Sequence, residues 1–409
     1  MRKQLFRILL ALSLVTLVIG CGGGSRPGTR LVSISIQGSG SVVPLGSVVA
    51  LTATGTYSEG ATVSVTSSVS WASSNTAVAT VSSAGVVTAL SAGSTTISAT
   101  SGTVSASYPI TVFPLGGSVQ GGLTLSGTLS VLAGSSGSPG VVDATGTNAR
   151  FNVPSGMVTD GQRLYVADSQ NNLIRVVDIA SGAVSTLAGS GLQASTDGTG
   201  TSASFYHPES IACDGTFLYI AESQSGKIRR VDRQSGAVTT LTTSSALTRP
   251  SGITTDGVNL YVTDAIDHVV RRIVIASGAV SLVAGSAGSP GSTNAVGSSA
   301  SFNQPVGITT DGSNLYVNDF GNGRVRKIVI ASGAVTTLAP SFTTPAGGIT
   351  TDGTNLYVAD YGNIVWQVNI SIGTATILAT GLNHPDGVVS DGHALFVADR
   401  DNHVIRRIN

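Results

Sequence analysis

The sequence is short of charge. Lys, Arg, Asp and Glu make up 10% of its 409 residues, 21 basic against 21 acidic, for a formal net charge of zero. Nucleic-acid binding needs a basic face to neutralise phosphates, so a nucleic-acid partner is excluded. Long charged helices are excluded by the same scarcity. The two cysteines, Cys21 and Cys213, cannot build a disulfide framework. There is no phosphate-cradling Gly-x-x-x-x-Gly-Lys loop, no Gly-x-Ser-x-Gly elbow and no Asp-rich calcium loop, and no cofactor is expected. What the chain has instead is 52 glycines, abundant Ser and Thr, and 41% apolar residues. That mixture predicts many short β-branched strands joined by glycine turns, with enough apolar surface for true cores. The length predicts two or three folded units.

The first twenty residues read as an export leader. Arg2, Lys3 and Arg7 precede an apolar run from Ile8 to Ile19, broken only by Ser13 and Thr16. The run is too short to span a bilayer comfortably. Leu17-Val18-Ile19-Gly20-Cys21 resembles the lipobox of bacterial lipoproteins, and the glycine-rich stretch after it, Gly22-Gly23-Gly24-Ser25, suits a flexible tether. The resemblance implies cleavage before Cys21, acylation of its thiol and anchorage in the cell envelope. With Gly rather than Asp at position 22, it implies the outer membrane in a Gram-negative cell, on its periplasmic or surface face.

Residues 31–113 alternate as strands do, for example Leu31-Val32-Ser33-Ile34-Ser35-Ile36 and Thr95-Thr96-Ile97-Ser98-Ala99. Such runs, bounded by Gly and Ser, suit a two-sheet sandwich with Trp71 anchoring its core. Glu59 is the only acidic residue in this stretch, which argues against a catalytic or metal site. The phrase from Val69 to Val81, continued by Gly85 to Leu90 and Ala92-Gly93, resembles the bacterial Ig-like domain of group 2. In that family the module is usually a spacer or adhesion unit.

From residue 125 onward one phrase recurs six times. It opens on Pro154, Pro208, Pro250, Pro305, Pro345 and Pro385, passes through an Asp-Gly turn and a Leu-Tyr-Val-like strand ending in an acid, and closes on an Ile-Arg-like strand. A repeat of about 40 residues with four strands is the signature of a propeller blade. The sixth copy stops at Asn409 without its fourth strand, and Thr128–Ala133 carries the missing phrase at the other end. That strand is expected to complete the last blade and close the ring. The phrase resembles the NHL repeat, which implies a six-bladed β-propeller. The fifth copy carries an extra residue at Gly347-Gly348, read as a bulge. The chain thus reads as all-β: leader 1–20, tether 21–30, Ig-like sandwich 31–113, linker 114–124 and six-bladed propeller 125–409.

Five acids precede an Arg by seven residues: Asp168 and Arg175, Glu222 and Arg229, Asp264 and Arg271, Asp319 and Arg326, Asp399 and Arg406. Repetition of one pair argues for scaffold, with Asp360 and Gln367 a weaker fifth-copy version. Unrepeated residues are better functional candidates. The residue after each Pro should open the inner strand at the channel mouth: Ser155, Glu209, Ser251, Val306, Ala346 and Asp386. His207-Pro208-Glu209 and His384-Pro385-Asp386 stand out, as His and carboxylate together are the raw material of a ligand or metal site. His268 and His403 fall in turns on the same face, and His393 in an opposite turn. Cys213 should pack as a small apolar residue with nothing basic beside it. The long connections Gly134–Asn152, Gly189–Tyr206 and Gly285–Asn303 read as adaptable binding loops. The function expected is an anchored platform that binds a protein, peptide or glycan. The alternative is a metal-dependent lyase or lactonase-like propeller using His207, Glu209, His384 and Asp386.

Overall fold

A computed structural model describes residues 30–38, 42–44, 48–90, 93–113, 123–242, 247–340, 342 and 344–409. The leader at 1–20, the acylation site Cys21, the tether to residue 29 and the linker from 114 to 122 lie outside the described residues. Among the described residues the regular structure is β-strand with short 3-10 turns, and no helix is long and apolar enough to cross a membrane.

The strands from Leu31 to Phe113 form the Ig-like sandwich. Val42–Pro44 runs parallel to Val104–Phe113, which pairs antiparallel with Gly93–Ser101, which in turn pairs with Ser70–Ser73. Leu31–Gln37, Thr52–Tyr57 and Thr62–Ser64 make a second sheet. Alternation along these strands buries Leu51, Val87, Ile97 and Ile110 in one cluster and Ile34, Ala53, Val65 and Ala99 in another. Trp71 is only half-buried, yet it packs against both clusters, and its indole N–H donates to the Thr66 carbonyl at 2.9 Å. Gly85 holds φ +77°, and a Cβ there would press on the Leu51 carbonyl and the Trp71 ring.

The remaining strands build six blades around a channel. In blade one the order from the centre outward is Pro154–Thr159, Arg163–Asp168, Leu173–Asp178 and Val184–Ala188. Blades two to five repeat this order, opening on Pro208, Pro250, Pro305 and Pro345. The second strand explains the packing. In Leu164-Tyr165-Val166-Ala167, Leu164 and Val166 face blade six, while Tyr165 and Ala167 face blade two. The same alternation gives an apolar layer between every pair of neighbouring blades. A strand buried on both faces is the pattern of stacked sheets.

The ring closes as expected. Leu129–Ala133 pairs antiparallel with Val404–Ile408, placing Leu129 opposite Ile408 and Val131 opposite Arg406. Ser126 seals the joint, its amide donating to the Asn409 carbonyl at 2.6 Å. The inner strands approach so closely that a Cβ on Gly156 would strike the backbone of Ser210, and one on Gly387 the Ser155 carbonyl. Only glycine permits that approach between blades one and two and between blades six and one.

Candidate functional site

Each inner strand departs from regular pairing at its start. The register shifts between Pro154 and Met157, Pro250 and Ile253, Pro305 and Ile308, and Pro385 and Val388, and by one residue more between Pro345 and Ile349. A bulge re-aims side chains, and here it turns the residue after the proline toward the channel mouth. Glu209, Ser251, Val306 and Asp386 accordingly line one cup of about 600 Å³ with its open mouth, together with Arg249, Gln304, Phe320 and Tyr361. The extra residue of blade five now has a reason: a side chain at Gly347 would occupy the space taken by the Asp386 carboxylate, which accepts the Gly347 amide instead.

Asp386 is buried and Glu209 half-buried, and the charge of Glu209 acts on Asp386. Asp386 is 7% exposed. Burial, reinforced by the charge of Glu209 and opposed by Arg400, pushes its carboxyl up to about 6. Burial likewise raises Glu209, although Ser223, Arg249, Arg400 and Ser251 all favour its charged form. Its Oε2 is buried with no donor in bonding geometry among the described residues, as is Arg400 Nε with no acceptor. Tyr361 stands edge-on to Phe320 at 6.2 Å between ring centres, and Arg400 lies 5.7 Å over its ring.

The histidines do not join them in the cup. His207 and His384 sit at left-handed corners, φ +55° and +46°. Their amides donate to Asn172 and Asn363 in the turns of the preceding blades, at 3.0 and 2.9 Å. His207 Nδ1 reaches the Ser223 hydroxyl at 3.2 Å, and burial lowers its pKa. His384 Nδ1 meets Asp401 at 2.6 Å on the exposed surface. His268 and His403 serve the same joint from the other side, their Nδ1 atoms accepting the Gln304 and Val153 amides at 2.9 and 3.2 Å. These histidines latch blade to blade. Among the described residues no three His, Cys, Asp or Glu side chains come together to hold a metal ion. His393 lies in the turn of blade six between Pro385–Ser390 and Leu395–Asp399, where its amide donates to Asp391.

The repeated ion pairs lie away from the cup lining. Asp168, Glu222 and Asp319 meet Arg175, Arg229 and Arg326 at 2.7 Å, all fully buried, and Asp399 meets Arg406 at 2.8 Å. In blade three Arg271 is 3.9 Å from Asp264 and bonds Asp267 at 2.6 Å. Asp360 is the exception to the sequence reading. Its partner is the Trp366 indole at 3.0 Å, because the shorter turn of blade five puts Trp366, and not Gln367, opposite Val358. The acids also hold the chain entering their own blade, as Asp168 does by accepting the Asn152 amide at 2.7 Å.

Two further expectations need correction. Arg233 does lie beside Cys213, its Nη1 3.8 Å from the sulfur, yet burial pushes the thiol up to about 11 and leaves it inert. The long connections are not adaptable loops. Asp143 and Asp197 bond Arg175 and Arg229, and Asn294 bonds Arg326. Phe151, Phe205 and Phe302 are fully buried beneath the same guanidinium groups, at 5.1, 5.6 and 5.2 Å. Each connection is a strap laid along the outer edge of its blade, as the pairing of Gly198–Thr199 with Ala237–Thr242 shows.

The second set of cup residues follows a rule that the proline phrase did not reveal. Ala265, Phe320 and Tyr361 of the lining each come directly after the acid that ends a blade's second strand. Their signal was variation at a fixed place in a repeat that is otherwise uniform.

Residues 32–112 match the family described as bacterial Ig-like domain (group 2). Ice-binding protein 1 of Shewanella frigidimarina is 34% identical over 169 residues, 41% of this chain and 18% of that protein. NHL repeat-containing protein 2 of Bos taurus is 36% identical over 105 residues, 24% of this chain and 14% of that protein. The chain thus spans less than a fifth of the length of these curated relatives. Among solved structures, a streptogramin B lyase covers 69% of this chain and 97% of its own at 13% identity and a TM-score of 0.48. A chain of a nidogen/laminin complex covers 56% of this one and 80% of its own at 21% identity and a TM-score of 0.46. The chain therefore joins a bacterial Ig-like module at 32–112 to a six-bladed propeller whose repeats are similar to those of NHL repeat-containing protein 2.

Proposed function

We propose that this protein is an envelope lipoprotein, anchored through acyl chains on Cys21, whose propeller binds a ligand in the cup at the channel mouth. One observation carries the binding reading: five blades line one recess, and two of them place carboxyls there, with the buried Oε2 of Glu209 left unpaired. Buried polar groups without partners are costly and are retained where a ligand satisfies them. The anchor reading is supported by Leu17-Val18-Ile19-Gly20-Cys21 and the tether after it. More than one acyl chain is needed for stable anchorage.

The test separates anchor from head. Cys21→Ser is expected to move the protein from the membrane to the soluble fraction. Purified mature protein, immobilised, is expected to retain an envelope component that the Asp386→Asn, Tyr361→Ala double variant does not retain. Equal retention by both proteins would refute a ligand site in the cup.

A further inference from the structure

The cup is lined from blades two to six. Glu209, Asp386, Arg249 and Ser251 bring hydrogen-bonding groups to it, and Phe320 and Tyr361 bring an aromatic surface from blades four and five. Its wall is therefore amphipathic.

The charges on the rim balance. Glu209 and Asp386 are both acted on by Arg400, and Glu209 by Arg249 as well. An ion of either sign would gain one partner and meet a like charge. A neutral molecule escapes this opposition. It must still supply a donor for Glu209 Oε2, an acceptor for Arg249, and an apolar face for Phe320 and Tyr361. Hydroxyl groups do both polar tasks, and ring C–H bonds do the apolar one. The recess is walled by blades on five sides, so it suits one ring or chain end and not a continuous peptide strand.

The geometry points to a single neutral sugar residue, free or at the end of a glycan, as the occupant of the cup. This rests on the ligand-binding reading above and gives that reading its substrate class. The polar edge of the ring lies toward Glu209 of blade two and Asp386 of blade six, and its C–H face lies on Phe320 and Tyr361.

The mature protein in detergent micelles is titrated with methyl glycosides of glucose, galactose and mannose, and with glucuronate, glucosamine and a neutral dipeptide, by calorimetry and ligand-observed NMR. At least one neutral glycoside is expected to bind at about 1 mM or tighter, with both charged sugars weaker by about ten-fold or more. Glu209→Gln, which keeps the shape of the side chain, and Phe320→Ala are each expected to weaken that glycoside by about ten-fold, with thermal unfolding checked in parallel. Failure of every neutral glycoside at tens of millimolar overturns the proposal. So does equal binding of the charged sugars, or binding untouched by both variants. Capture of the dipeptide alone, lost in the same variants, overturns the sugar assignment while the cup remains a binding site. If the variants also leave retention of the envelope component unchanged, the cup itself is not the site.

Discussion

At the scale of single residues, the cup is defined by groups that are worse off in the folded chain than in water. Asp386 shows this most plainly. Its carboxyl titrates near 6 when folded, against 3.8 as the usual value. Below about pH 4 folded and unfolded chains both carry the proton. As pH rises to about 6 the unfolded chain has released it and the folded chain still holds it, so stability falls through this window and then levels off. Asp386→Asn removes that fall. The variant is expected to be more stable than the parent at pH 7 by about 2–3 kcal/mol, and to gain little at pH 4. Urea unfolding of both proteins at pH 4, 5, 6 and 7 checks it. A parallel pair of curves would show that Asp386 is not held above its usual range. Val153 carries strain of another kind: it is β-branched at φ +56°, held there as its amide donates to His403 of the neighbouring blade. Where the preceding turn has glycine, as at Gly226 and Gly323, the matching residues Arg249 and Thr344 are not left-handed.

At the scale of elements, the straps distinguish blades one, two and four from the rest. Each strap carries a phenylalanine into the interblade layer and lays it under a buried Arg that also bonds a polar side chain of the strap, so two side chains pin a connection of nearly twenty residues. Phe205→Ala should cost about 3–5 kcal/mol, the usual range for a fully buried Phe. It should also expose the connection from Gly189 to Tyr206 to amide exchange and to protease while the other two straps stay protected. Exchange that rises evenly over all six blades would mean that Phe205 supports the global fold and not its own strap. The straps read as loops in the sequence because Gly, Ser, Asn and Asp dominate them. Composition reports the turns and hides the anchoring ring.

At the scale of the whole molecule, closure is the feature on which the cup depends. Blades five and six meet at Gly348 and Asp386, and blade six is itself completed by Leu129–Ala133. Removing everything up to residue 134 should leave Val404–Ile408 as an open edge, a template for pairing with other chains. The shortened protein is expected to aggregate or to melt at markedly lower temperature. A synthetic peptide of residues 123–134 supplied in trans should restore part of the loss. A truncated protein as soluble and as stable as its parent would show that the strand is dispensable.

Blade number, strand order and ring closure were legible in the amino-acid sequence because each follows from short-range patterns repeated six times. A Leu-Tyr-Val strand, an Asp-Gly turn and a close-packed glycine each act over a few residues, and repetition adds their weak signals. The residues after the prolines were legible for the same reason. Which side chains share the cup was decided only by tertiary structure. Glu209 and Asp386 are 177 positions apart in sequence and meet because the ring brings blade six near blade two. The aim of His207 and His384 was decided there too, by left-handed corners imposed from the blade before. Local chemistry sets what each blade is, and closure of the circle sets which residues face one another.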